Sequence, residues 1–131
     1  MKNKPLLALV VSNSGTLQDG LLALMTTIPQ ISAVLAAEDV VATLRMVENH
    51  QPALVLLDMS IPKVREVITE IKAQWPHIHV IVLTEDTVQK NESEASGADS
   101  VLIKGFHAQK LIAIVESLID QLESTSKVNK N

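Results

Sequence analysis

Three apolar runs each end in a residue of different chemistry: residues 53–57 in Asp58, residues 78–83 in Thr84, and residues 101–103 in Lys104. A carboxylate, a hydroxyl and a compact ammonium brought together would make a site for a polar ligand, with a charged acceptor, a neutral donor and a fixed cation. Taken singly, each has a plain structural role, Asp58 as a turn residue or helix cap, Thr84 as a cap, Lys104 as a surface charge. Two other groupings carry chemistry. Ser12-Asn13-Ser14-Gly15-Thr16 lies between an apolar run and a helical pattern, and backbone N–H groups at such a helix start form a natural phosphate site. His77-x-His79 puts two imidazoles on one side of a strand, a spacing that can bind metal. They lie at the opposite end of that strand from Thr84, where a structural or solvent-facing role is the simpler one.

Positioning these groups falls to an alternation of strand and helix that repeats five times. Residues 6–11 form a first apolar strand, and Leu17, Leu21, Leu24, Met25 and Ile28 then recur at helical spacing until Pro29. Residues 31–37 read as a second strand, after which Glu38 or Asp39 caps a helix with Val40, Val41, Leu44 and Val47 on its apolar face. The run into Asp58 is a third strand, apolar enough to be buried on both faces of a parallel sheet. Val64, Val67, Ile68 and Ile71 mark a third helix closed by Pro76. Residues 78–83 and 101–103 are the fourth and fifth strands. Between these two, residues 85–96 hold only Val88 and Ala95 as apolar anchors, so a helix there is thinly held. The last helix is strong, with Leu111, Ile112, Ile114, Val115, Leu118, Ile119 and Leu122. Its apolar face is wider than one stripe and serves either the core or a partner. The domain therefore spans residues 1–122, and residues 123–131 read as a loose polar tail or linker.

Five such units imply an α/β fold, a doubly wound, five-stranded parallel sheet with helices on both faces. The polar interruptions (Ser12 and Asn13, Asp58, Thr84, Lys104) all fall at strand carboxyl ends. That edge is where open α/β sheets bind ligands. The convergence raises Asp58 from turn residue to site residue.

Composition narrows the functions. The 131 residues make one domain, 47% hydrophobic, with one Trp, one Phe and no Tyr, so stacking on bases or on a flavin is poorly provided for. A net charge of -4 gives no electrostatic footprint for nucleic acid. Without cysteine there is neither a disulfide framework nor a thiolate metal site. The apolar run near the start is too short to span a membrane, and the expected location is the cytoplasm.

From residue 6 to about residue 122 the pattern resembles the receiver domain of two-component response regulators. Asp58 in Leu-Leu-Asp-Met-Ser-Ile-Pro matches the family's phosphoacceptor and the proline four residues on. Thr84 matches the switch hydroxyl, and Gly97-Ala98 through Lys104 matches the Gly-Ala segment and the lysine of the pattern. Gln18-Asp19-Gly20-Leu21 and Lys104-Gly105 look most like receivers that carry a helix-turn-helix output domain. The resemblance implies strand order 2-1-3-4-5, the flavodoxin-like arrangement, and a signalling rather than enzymatic role. It implies that Asp58 accepts a phosphoryl group from a histidine kinase as an acyl phosphate. Both reactants are anionic, so Lys104 and Thr84 would each hold a phosphoryl oxygen, and the Ser60 carbonyl would ligate a metal beside Asp58.

The chain also departs from that family. Receivers place two acids after the first strand to hold Mg²⁺, and here Ser12 and Asn13 offer only neutral oxygens. Mg²⁺ binding through Asp58, Asn13 and Ser60 is expected to be weak. Glu85 follows Thr84 where the family has a small residue, and it obstructs the pocket, repels phosphate or replaces a metal ligand. Val101 stands at the family's aromatic switch position, which removes the usual relay. Arg65-Glu66 replaces the usual Asp-Gly, so the third helix starts differently.

Two functions follow. One is a receiver phosphorylated on Asp58 at an atypical acidic site. The other is a phosphorylation-independent pseudo-receiver acting as a protein interaction module, which loss of the acid pair favours on mechanism. Either implies a sensor histidine kinase or another signalling protein as partner. Either also implies a partner or homodimer surface on the fourth helix, fifth strand and fifth helix, and no contact of this domain with nucleic acid or membrane. A remote alternative is a flavodoxin-like flavin binder, since flavodoxins share the topology and use a loop like residues 12–16 for the flavin phosphate; only Trp75 and Phe106 are present to stack a ring.

Overall fold

A computed structural model describes residues 6–129. Ten elements alternate: β1 (Leu6–Val11), α1 (Gly15–Met25), β2 (Ile31–Ala37), α2 (Val40–His50), β3 (Leu54–Asp58), α3 (Val64–Gln74), β4 (His79–Thr84), α4 (Thr87–Ser96), β5 (Ser100–Ile103) and α5 (Ala108–Asn129). All strand pairs are parallel, in the order β2-β1-β3-β4-β5. Every residue of β3 is buried, as the continuous apolar run predicts for the central strand.

Alternation along the strands divides the core in two. Ala8, Val10, Leu54, Leu56, Ile81 and Leu83 face α1 and α5, where Leu21, Met25, Leu111, Val115 and Ile119 meet them. Leu9, Val11, Val55, Leu57, Val80 and Val82 face the other way, onto Val47 of α2 and Val64, Val67, Ile68 and Ile71 of α3. The wide apolar face of α5 serves the first of these layers. Leu111, Val115, Leu118 and Ile119 are buried, and Ile112, Ile114 and Leu122 pack partly buried against the same cluster.

Several boundaries differ from the sequence expectation for local reasons. α1 stops at Met25, before Pro29, because the Thr26 and Thr27 hydroxyls bond back to the Ala23 and Leu24 carbonyls. Ile28 is buried beyond the helix rather than on it. On α2, Asp39 is the cap, its side chain accepting the Ala42 N–H at 2.8 Å. Val41 points outward, and Thr43 takes the buried place with its hydroxyl on the Asp39 carbonyl. α3 starts from Lys63 as N-cap at φ 65°, with no side-chain cap bond. α5 is helical to Asn129, so residues 123–129 of the expected loose tail continue the helix, and residues 130–131 lie outside the described residues.

α4 is present but, as its sparse pattern implies, buries only Ser93. Its ends hold it. Asp86 accepts the Gln89 N–H at 2.9 Å, Gln89 Oε1 accepts the Glu85 N–H at 2.7 Å, and Gly97 closes the helix at φ 111°. At the amino edge of the sheet Lys72 joins α3 to the start of β5. Its ammonium bonds the Ile78 carbonyl and Asp99 Oδ2, each at 2.8 Å, and the same Asp99 oxygen accepts the Val80 N–H.

Candidate functional site

The strand register brings the predicted residues to one edge. Asp58 pairs with Leu83 across β3 and β4, and Thr84 pairs with Ile103 across β4 and β5. One residue further on, Glu85 and Lys104 are therefore neighbours past the ends of adjacent strands. The Lys104 N–H donates to the Thr84 carbonyl at 2.7 Å, which carries the register past the strand.

Asp58 is only 1% exposed, and both its oxygens have partners. Oδ1 lies 2.8 Å from Lys104 Nζ and accepts the Ser60 N–H at 3.0 Å. Oδ2 accepts the Ser12 hydroxyl at 3.2 Å. Lys104 Nζ is also 2.7 Å from Glu85 Oε2, so one ammonium bridges two carboxylates. Burial pushes the Asp58 carboxyl up, but the Lys104 ammonium and the Ser60 N–H outweigh it and hold the group below its ordinary value. Burial draws Lys104 down, and its bonds to Asp58 and Glu85 more than reverse this, leaving it raised.

The other predicted residues have separate fates. Thr84 is fully buried, and its hydroxyl donates to the Leu102 carbonyl on β5 at 3.4 Å. Ser12 is buried with Asp58, whereas Asn13 beside it is exposed. Ser60 meets Asp58 through its N–H. Of the loop at residues 12–16, Ser14 is spent on capping α1, accepting the Leu17 N–H. Sequence reasoning missed the structural role of Gln18, whose Nε2 donates to the Ser12 and Ala37 carbonyls, each at 3.0 Å, and so ties the ends of β1 and β2. Its place one turn into α1 is the only sequence signal for it.

His77 lies before β4 and is exposed, while His79, the first residue of that strand, has Nε2 3.0 Å from Ser100 Oγ, at the opposite edge from Asp58. Trp75 packs on the α2/α3 side of the sheet and Phe106 on the α1/α5 side, so they cannot sandwich one flavin ring. No helix among the described residues is long and apolar enough to cross a membrane.

A parallel five-stranded sheet in this order, with Asp58 and Lys104 paired at its carboxyl edge, defines a receiver fold. The family model of the response regulator receiver domain matches residues 8–116, and the chain belongs to that family. It is 24% identical over 111 residues to the transcriptional regulatory protein DegU of Brevibacillus brevis, an alignment covering 82% of this chain and 47% of that protein. The chain thus spans about half the length of this curated relative. Among solved structures it is similar in fold to the receiver domain of AraT from Geobacillus stearothermophilus, with TM-score 0.83, 20% identity, and coverage of 94% of this chain and 99% of that one. The receiver domain of the sensor histidine kinase PA1611 from Pseudomonas aeruginosa is also similar, with TM-score 0.78, 21% identity, and coverage of 89% and 99%. That domain is described with a magnesium ion coordinated in its active-site cleft.

In this chain the oxygens at the corresponding edge already have partners. Mg²⁺ favours charged oxygen ligands in octahedral geometry. Here the buried carboxylate is committed to Lys104, Ser12 and Ser60, and the neighbouring acid, Glu85, is committed to Lys104. Among the described residues, no group of three or more His, Cys, Asp or Glu side chains is arranged to hold a metal ion.

Proposed function

We propose that this chain is a receiver-fold interaction module of a two-component pathway, in which Asp58 rests in a standing ion pair and is not cycled through metal-dependent phosphorylation. The observation that carries this reading is the set of partners on Asp58: Lys104 shared with Glu85 on one oxygen, the Ser12 hydroxyl on the other. Attack of a carboxylate on a phosphoryl group forms an O–P bond and expels the donor's leaving group. Throughout that step the negative charge on the transferring oxygens has to be offset. This edge supplies one ammonium against two carboxylates, and the acids that would recruit a divalent cation are replaced by Ser12 and Asn13.

On this reading the module has no enzymatic turnover and acts by contact in the cytoplasm. Its partner is a sensor histidine kinase or another signalling protein, or a second copy of itself. The contact surface is built from α4, β5 and α5, where Val88 is 65% and Ile103 39% exposed. The net charge of -4 argues against a nucleic-acid partner for this domain.

A second reading, a receiver that is phosphorylated on Asp58 with weak Mg²⁺ assistance, is favoured by the 2.8 Å Asp58–Lys104 pair itself. Incubation with phosphoramidate and Mg²⁺ followed by intact mass measurement separates the two. Asp58→Asn is the control, and a receiver carrying both acids runs alongside. No adduct on this chain supports the interaction module; an adduct that disappears with Asp58→Asn establishes the phosphorylated receiver instead.

A further inference from the structure

Resting on the reading above, we infer that Glu85 is a resident anion that competes with any incoming oxyanion for Lys104. This single exposed acid on β4's end then makes the site indifferent to phosphoryl ligands, in addition to the missing acids after β1.

Three observations carry this. The contact is tight: Glu85 Oε2 lies 2.7 Å from Lys104 Nζ, whereas the surface pairs Arg65–Glu92 and Lys90–Glu94 are both at 3.8 Å. It is also built in from both sides. Glu85 follows Thr84, whose carbonyl accepts the Lys104 N–H, and the Glu85 N–H is held by Gln89 Oε1 at 2.7 Å. Both backbones are thus fixed before either side chain is placed. Finally, Asp58 and Glu85 take two of the three N–H donors of the ammonium, so an incoming oxyanion finds one N–H open beside two carboxylates.

A phosphoryl oxygen seeking Lys104 would therefore meet the repulsion of two carboxylates, and it gains the full charge of the ammonium only if one of them yields. Asp58 is buried and fixed by two further bonds, whereas the Glu85 side chain is 54% exposed. Glu85 is the group that would yield. The raised Lys104 value, to which both carboxylates contribute, is consistent with an ammonium whose charge is already offset by its own chain. Because Glu85 is largely in solvent, its replacement leaves the core untouched.

The test is titration of the intact chain with inorganic phosphate, followed by the backbone amide resonances of Glu85, Lys104 and Gly105 and by the Lys104 side-chain nitrogen. Glu85→Ala and Glu85→Gln are compared with the parent and with Glu94→Ala, which removes an equal charge from α4, the helix that follows Glu85. Both Glu85 variants are expected to bind phosphate about tenfold more tightly, with Glu94→Ala unchanged. The Lys104 nitrogen should titrate at lower pH in both. The inference is overturned if neither Glu85 variant gains affinity, if only Glu85→Ala gains (bulk, not charge), or if Glu94→Ala gains equally. An Asp58 adduct on the parent chain in the mass experiment would sink the earlier reading, while the phosphate affinities still decide this one.

Discussion

Ser12 Oγ lies 3.2 Å from Asp58 Oδ2, a neutral hydroxyl donating into the carboxylate where the receiver pattern has an acid. The hydroxyl satisfies an oxygen that an acid neighbour would repel. Replacing Ser12 and Asn13 together by Asp should therefore act in two directions. Without metal the variant loses about 1–3 kcal/mol, because the hydrogen bond goes and like charges meet. With Mg²⁺ the loss is recovered, and calorimetric titration shows binding that the parent lacks at the same concentrations. Equal Mg²⁺ titrations for the two proteins would refute the account of this position.

The Asp58–Lys104 pair is asymmetric in burial, 1% against 26% for the side chains, so its two halves should cost differently to remove. Lys104→Met leaves a buried carboxylate with no cation and is expected to cost about 3 kcal/mol. Asp58→Asn keeps the shape and an oxygen able to accept the Ser60 N–H, and leaves Lys104 with Glu85 and solvent; about 1 kcal/mol is expected. Urea denaturation of the two variants checks the order, and a costlier Asp58→Asn would contradict it.

How stability varies with pH follows from the same pair. The Asp58 value is depressed, so its contribution is present above the ordinary 3.8 and is lost as pH falls through the lower folded value. The Lys104 value is raised, so its contribution is present below 10.5 and is lost as pH rises through the higher folded value. His79, kept neutral mainly by burial, adds stability that is full above 6.5 and falls as pH drops toward its folded value. Denaturation midpoints of Asp58→Asn should fall less steeply below pH 4 than those of the parent. An unchanged acid limb would mean that Asp58 titrates normally.

The order of elements was readable because a parallel sheet buried on both faces forces apolar runs, and each run here ends at a polar residue. The edge that Asp58 and Lys104 share was readable for the same reason. What became of Ser12 and Asn13 was not: adjacent in sequence, one is buried against Asp58 and the other exposed, a difference set by how the chain turns out of β1. Glu85 lies just past a strand, where the alternation that orients side chains no longer applies, so its grip on Lys104 emerges only from the β4–β5 register. Val41 fits an apolar stripe yet is exposed, because helical spacing alone does not set how wide a stripe the core accepts.

Core and surface substitutions should separate cleanly. Leu56, fully buried on the central strand, is expected to cost about 3–4 kcal/mol as Leu56→Ala. Val88→Ala, on the exposed side of α4, should stay within about 0.5 kcal/mol of the parent, measured by the same denaturation. A proposed partner that docks on α4 would instead lose affinity with Val88→Ala, which makes this variant a probe of contact without a folding defect.

α4 is secured at its two ends and buries only Ser93 along its length. In terms of local opening, that makes it one of the least protected helices, and its amide hydrogens should exchange well before those of α3, which buries Val64, Val67, Ile68 and Ile71. Gln89, whose side chain holds the Glu85 N–H, is part of the same helix. When the first turn of α4 opens, the Glu85 N–H loses its partner on Gln89, so the backbone that carries the acid beside Lys104 is loosened with the helix while Lys104 itself stays tied to the sheet.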